Sequence, residues 1–317
     1  MNVNVKDKGK SIFSILKKTY FEWNADDPFR QSAVIAYYSI FSLPALLIII
    51  IKVVGQIWSE EAVRGEIAGQ ISSAVGEQAA EQVQTMIASA SQQGDSVIAI
   101  AVGVATLVFG ATGVFVQLQR SLNQAWEVEA KPEAGIAKIA LDRVLSLGFI
   151  FAIGFLLLIS LVLTTALQAL SGFIQRNLPE YLLYVFHIVE IVVSLGVITT
   201  LFAMIYKFLP DAKVEWRSVW VGALVTAILF VIGKEALGIY FGQTDPGSAF
   251  GAAGSLILIL LWVNYSALIF LFGAEFTQVY ARRKGHHIAP SSHARWTAER
   301  RLSDYEEEYK TKEKENA

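Results

Sequence analysis

Apolar residues run almost unbroken over six stretches, approximately 31–57, 96–118, 143–170, 182–206, 217–241 and 253–281. Each is long enough to cross bilayer hydrocarbon, which takes roughly 20 helical residues. The pattern predicts an all-α integral membrane protein with six transmembrane helices, and an even number of spans puts both termini on one side. Ahead of the first span, residues 11–23 (SIFSILKKTYFEW) predict an interfacial helix, with Lys17 and Lys18 toward headgroups and Phe13, Leu16, Phe21 and Trp23 toward lipid. Asp27 and Pro28 read as the N-cap and first residue of span one. Pro44, inside that span, predicts a kink because proline brings no backbone N–H. The first span is longer than a signal-peptide core and lacks a small-residue cleavage site, so it is expected to be retained.

The intervals between spans are less apolar. In the outer loop 59–95, Val63, Ile67, Ile71, Val75, Ala79, Val83, Ile87 and Ala90 recur every three or four residues, as in an amphipathic helix or helix pair. Its charges sum to −5, and it reads as a cap over the bundle or as a docking surface. The segment 282–317 is polar and charge-mixed, with Trp296 and two tyrosines as its few large apolar groups. It is expected to bury no core and to be mobile or weakly helical. The resulting organisation is an N-terminal segment (1–30), a six-span domain (31–281) and a polar tail (282–317).

Composition supports this reading. The chain is 54% hydrophobic and only 17% charged, where a soluble domain carries about 25% charge. It has no cysteine, which removes disulfides, thiolate nucleophiles and cysteine metal sites. His286, His287 and His293 have no carboxylate or cysteine neighbours at ligand spacing, so no metal site is expected. A net charge of −2 does not suggest a nucleic-acid partner. The distribution of lysine and arginine is more informative. Twenty-two lie in the N-terminal segment, the second and fourth inter-span loops and the tail, against only Arg64 and Arg176 on the opposite side. The positive-inside rule then places both termini in the cytoplasm.

Charged groups inside the spans are the candidate functional residues, since each is costly in hydrocarbon. Lys52, Glu190, Lys234 and Glu235 fall in the outer third. Glu190 and Lys234 sit about eight and seven residues from the outer edge, and matching depths predict a pair. Near the inner face lie Arg120, Asp142, Arg143 and Glu275. Gln117, Arg120, Ser121 and Gln124 form a polar stripe at helical spacing on the second span. The stripe reads either as amide glue between helices or as the lining of a vestibule open to the cytosol. In the second reading Arg120 meets Glu275, and a cationic, amide-lined mouth suits the phosphate of an anionic amphiphile.

Four blocks carry a family resemblance: AYYSIFSLPALL (36–47), TGVFVQLQRSLNQAWEV (112–128), KFLPDAKVEWRSVWVGALVTA (207–227) and FGAAGSLILILLWVNYSALIFLFGAEFTQVY (250–280). In this order they resemble the YihY/BrkB family of bacterial inner-membrane proteins over about residues 20–285. The chain departs from the family pattern at Asn264, where an aromatic residue is more usual. The resemblance implies a six-helix membrane protein linked to envelope biogenesis, serum resistance and lipid export. It also carries an old label as a ribonuclease, which the residues oppose. Phosphodiester hydrolysis wants a metal cluster or a histidine acid/base pair, and only His187 of the four histidines lies in a span.

Two function classes follow from the residues. One is a transporter or flippase for a lipid or other anionic amphiphile, favoured by charges at two depths, Pro44, and glycines such as Gly222 and Gly273 that permit close helix approach. The other is a non-transporting membrane scaffold for envelope proteins, favoured by the absence of a phosphate-binding loop motif. No catalytic residue, enzymatic activity or cofactor is expected. The expected partners are membrane lipids, a lipid or amphiphile substrate, and a second copy of the chain or an envelope protein.

Overall fold

The computed structural model describes residues 5–55, 97–131, 180–244, 254–286, 288–298 and 300–302, with scattered positions between 59 and 84. The third expected span (143–170), Asp142, Arg143 and most of the outer loop lie outside the described residues. Among the described residues the fold is helical. Its elements are α1 (Val5–Ala25), α2 (Pro28–Val54), α3 (Val97–Ala125), α4 (Glu180–Phe208), α5 (Trp216–Thr244) and α6 (Gly254–Arg283). Four short strands accompany them: β1 (Val128–Ala130), β2 (Ala212–Val214), β3 (Ile288–Pro290) and β4 (Ala294–Trp296).

Three stretches among the described residues, Ile191–Phe208, Trp216–Thr244 and Leu256–Arg283, are long and apolar enough to cross a membrane. In their most apolar windows only 22%, 22% and 28% of residues are buried within the protein. Ile191, Val192, Ile232, Ile239 and Leu261 are among the exposed side chains. Water tolerates such extended apolar faces poorly. Hydrocarbon tolerates them, because a helix satisfies its own backbone hydrogen bonds.

The chain divides into two compact units, residues 1–26, 119–228 and 271–317 in one, and residues 27–118 and 229–270 in the other. In the second unit, Asn264 on α6 donates through Nδ2 to Ser32 Oγ on α2 at 2.9 Å. The residue that departs from the family pattern thus ties two helices together, the amide glue expected in a membrane. Gly110 lets α3 close on the backbone of α2, since a Cβ there would stand 2.8 Å from Ser42 N. The helix α2 continues through Pro44.

The start of α2 differs from expectation. Asp27 occupies the N-cap position, but with φ 52° and no side-chain capping bond. Its Oδ2 instead accepts from Arg30 Nε at 2.7 Å. In the left-handed conformation the carboxylate turns to the guanidinium rather than the helix N–H groups. Both partners are largely exposed, so the pair is worth at most about 1 kcal/mol. Asp27→Gly, which frees the left-handed backbone, is therefore expected to leave the thermal midpoint unchanged or slightly raised. A fall equivalent to a lost cap, about 1 kcal/mol, would return the capping role to Asp27.

In the first unit, α5 and α6 approach through two interleaved Gly-x-x-x-Thr segments, Gly222–Thr226 and Gly273–Thr277. A Cβ on Gly222 would overlap Thr277 Oγ1, and one on Gly273 would overlap Thr226 Oγ1. Each threonine returns its hydroxyl to its own helix, Thr226 Oγ1 to Gly222 O at 2.8 Å and Thr277 Oγ1 to Gly273 O at 2.6 Å. Neither hydroxyl is left bare against the neighbour. Tyr206 of α4, fully buried, closes the contact with its hydroxyl 3.0 Å from Thr226 Oγ1. On another side of α6, Phe276 and Val279 pack with Ile15 of α1. Phe13, Leu16, Tyr20 and Phe21 of α1 remain exposed, whereas Trp23 is half-buried against the ring of Phe272.

The tail corrects its expectation over residues 288–302. β4 pairs antiparallel with β1 and β3 with β2, forming two ribbons that tie the chain after α6 to the turns following α3 and α4. Backbone bonds extend both ribbons: Lys131 N to His293 O, Thr297 N to Glu127 O and Ser291 N to Asp211 O. A polar segment stays ordered here because existing strands supply its hydrogen-bond partners and because Ala294 is buried. Composition alone carries no trace of that.

Candidate functional site: a carboxyl cluster where α1 meets α6

Residues 273–279 of α6 are all buried, Gly273 and Thr277 against α5 and Glu275 and Gln278 on the other face. Glu275 is only 4% exposed. It sits eight residues before the last residue of α6, about 12 Å from the helix end at 1.5 Å per residue. Its carboxyl group hydrogen-bonds the side chain of Asp26, with Glu22 and Arg282 as its further charged neighbours.

The end of α1 builds the other half of the cluster. Asp26 follows the helix, with its N–H bonded to Glu22 O at 3.2 Å. Spacing of four residues sets the Glu22 and Asp26 side chains on one face. Glu22 Oε1 takes Lys18 at 3.4 Å, while its Oε2 is buried with no hydrogen-bond partner among the described residues. Gln124 donates from Nε2 to Asp26 O at 3.3 Å. Among the described residues, no three acidic or histidine side chains are grouped to hold a metal ion. What the cluster offers is a buried carboxyl group beside a second, half-buried one.

One to two turns further along α6 the charge reverses. Glu127, just past α3 at φ 55°, pairs through Oε2 with Arg282 and stands 3.5 Å from Arg300 Nη1. Glu129 and Arg295, directly opposite in the β1–β4 ribbon, pair at 2.8 Å. His286 Nδ1 meets Ser218 Oγ at 2.6 Å.

The residues singled out in the sequence divide accordingly. Glu275 and Gln124 both converge on Asp26. Arg120 is exposed on α3, and the charged neighbours of Glu275 are the three just named rather than Arg120. The reason lies in helix phase. Ser121, Leu122, Ala125 and Trp126 are the buried face of this helix end, so Arg120 and Gln124 are turned outward. Gln117 is half-buried. Lys234 is half-buried and Glu235 exposed on α5, whereas the side chains of Lys52 and Glu190 lie outside the described residues. Reading the sequence for charges within spans missed Asp26 and Glu22, which stand just before the first one. The run EWNADD at 22–27, three carboxylates leading into a membrane helix, was the available signal.

Residues 19–298 match the family described as virulence factor BrkB. The chain belongs to the BrkB family. Curated relatives carry the name UPF0761 membrane protein. One from Verminephrobacter eiseniae is 30% identical over 178 residues, 55% of this chain and 40% of its own. One from Psychrobacter is 26% identical over 264 residues, 83% of this chain and 47% of its own. One from Alteromonas mediterranea is 24% identical over 293 residues, 90% of this chain and 94% of its own. This chain thus spans less than half the length of the first two. No solved structure matches it. In this BrkB-family membrane protein the block KFLPDAKVEW forms the turn that carries β2. Asn123 of α3 holds it twice, donating to Asp211 Oδ2 at 2.9 Å and accepting from Asp211 N at 2.7 Å.

Proposed function

We propose that this chain is a six-span protein of the bacterial inner membrane, both termini cytoplasmic, that moves an anionic amphiphile such as a lipid during envelope biogenesis. The Glu275–Asp26 pair is assigned the proton that couples to this movement. One observation carries the reading: a carboxyl group only 4% exposed in an apolar helix has the Asp26 and Glu22 carboxyl groups as close charged neighbours. Ionisable groups at such depth are expensive to insert, by about 2.5–3.5 kcal/mol at midplane, and mark proton or substrate paths more often than they serve packing. The proposal includes no catalytic step.

The test is movement of fluorescent phosphatidylglycerol between leaflets of proteoliposomes, with and without an imposed pH gradient. Wild type is expected to accelerate movement in a gradient-dependent manner. Glu275→Gln, which keeps shape and a hydrogen bond to Asp26, is expected to fold with unchanged abundance and to lose the gradient dependence. Wild-type vesicles no faster than protein-free ones would overturn the transport reading and favour a non-transporting scaffold. That second reading draws on the ordered ribbons, which give a partner protein a folded surface.

A further inference from the structure

The junction of α4 and α5 carries an exposed row that the carboxyl cluster does not use. α4 ends at Phe208 and α5 begins at Trp216. These are the last and first residues of two stretches apolar enough to cross a membrane, which puts both rings at one edge of the apolar layer. On α5, Ser218, Val219, Ala223, Thr226 and Ala227 are fully buried, the side turned to the rest of the protein. Trp216, Trp220, Leu224 and Ile228 recur every four residues on the open side, each 42–44% exposed. They form one continuous i, i+4 ridge.

The ridge has a polar head and an apolar length. The Trp216 and Trp220 rings stack at 6.3 Å, and Phe208 meets Trp216 edge-on at 5.7 Å. Lys207 lies over the Trp216 ring, 5.4 Å from its centroid, and donates to Val214 O at 2.5 Å. Arg217, next to Trp216 in sequence, is exposed, as is Lys213 of β2. Over residues 207–217 these three cations stand against two carboxylates, Asp211 and Glu215, and Asp211 is turned to Asn123. At 1.5 Å per residue the ridge from Trp216 to Ile228 is about 18 Å long, close to the roughly 15 Å of hydrocarbon in one leaflet.

We propose that this ridge holds one anionic phospholipid of the adjoining leaflet. Arg217 takes the phosphate oxygens, with Lys213 adding charge at the rim. Trp216 and Trp220 lie level with the glycerol, where indoles settle at an interface, and Leu224 and Ile228 lie along an acyl chain. Interfacial tryptophans alone select no headgroup; selection comes from the cations at the head of the same row. A second copy of the chain docked here about an axis normal to the membrane would bring two Arg217 groups to the same depth, like charge to like, so the charge favours lipid. The ridge uses neither Glu275 nor Asp26, and the lipid is held whether or not the chain moves lipid.

Full-length protein is reconstituted in nanodiscs of phosphatidylglycerol and phosphatidylcholine in equal amounts. Native mass spectrometry then counts the lipids and the copies of the chain that stay together. Wild type is expected to retain phosphatidylglycerol in preference to phosphatidylcholine. Arg217→Gln and Lys213→Gln, both at exposed positions, are each expected to cut that preference about three- to fivefold, whereas Lys18→Gln on α1 leaves it unchanged. Trp220→Ala is expected to lower retention of both lipids. No preference in wild type, or a preference that Arg217→Gln and Lys213→Gln alter no more than Lys18→Gln does, overturns the proposal. So does a dimer that Trp220→Ala dissociates with lipid counts unchanged, which assigns the ridge to a second copy. Should Trp220→Ala fail to fold, the two charge variants decide alone.

Discussion

Gly273→Ala is expected to lower the thermal stability of the detergent-solubilised protein by about 1–3 kcal/mol, the usual penalty for overpacking a tight contact. The added methyl would overlap Thr226 Oγ1, stand 2.8 Å from Thr226 Cβ and lie 2.5 Å from the Tyr206 hydroxyl. All three neighbours are themselves constrained. Thr226 is fully buried and bonded to Gly222 O, and Tyr206 is fully buried and bonded to Thr226. The helices must separate or the hydroxyl bridge must break. Gly238→Ala on α5 is the control, because nothing lies within 4 Å of a Cβ there. In water an exposed glycine-to-alanine change stabilises a helix by about 0.5–1 kcal/mol, so the control is expected to be neutral or better. The measurement is thermal unfolding of both variants beside wild type. Equal shifts for the two glycines would mean that α5 and α6 do not meet as described.

Glu127→Gln is expected to release the tail. The substitution keeps volume and backbone but removes the carboxylate that faces Arg282 and Arg300, leaving two guanidinium groups without their shared counter-charge. Both ion pairs are partly exposed, 25% for Arg282 and 31% for Arg300 and Glu127, so solvent screens part of the loss. Thr297 N also bonds Glu127 O, and that bond survives the substitution. A net loss of about 1–3 kcal/mol is expected at this one junction. Limited trypsin digestion reads it directly, through cleavage at Arg295, Arg300 and Arg301. The variant should be cut several-fold faster there than wild type, with cleavage elsewhere unchanged. Glu129→Gln, which breaks the more exposed pair with Arg295, should have a smaller effect. If Glu127→Gln is digested like wild type, the ribbon alone holds the tail.

The helices were readable because their signal is strong and local. Apolar runs at 182–206, 217–241 and 253–281 became α4, α5 and α6, each within a turn of its expected bounds. The outward turn of Arg120 was not readable. Phase on a helix of this kind is set by which face finds a neighbour, and here the neighbour-facing side belongs to Leu122, Ala125 and Trp126. Likewise, Glu275 stood out as a charge in a span, but its partner lies in a different segment that a search within spans does not reach. The ribbons gave no periodicity to find. Three-residue strands such as ARW or IAP are too short for one, and their pairing is decided by residues far away in sequence.

That distance bears on how the molecule is made. Ala212 waits for Pro290, 78 residues later, and Val128 waits for Trp296, 168 residues later. At a synthesis rate of roughly 5–20 residues per second, the shorter wait is about 4–16 s and the longer about 8–34 s. During that interval β1 and β2 are open edges, able to pair with any extended chain that reaches them. A ribosome that stalls after α6 leaves a protein in which α1–α6 are made and β1 and β2 lack their partners. Such a chain keeps those two edges open, so a chaperone or protease that binds extended chain meets a target there that the finished protein has closed.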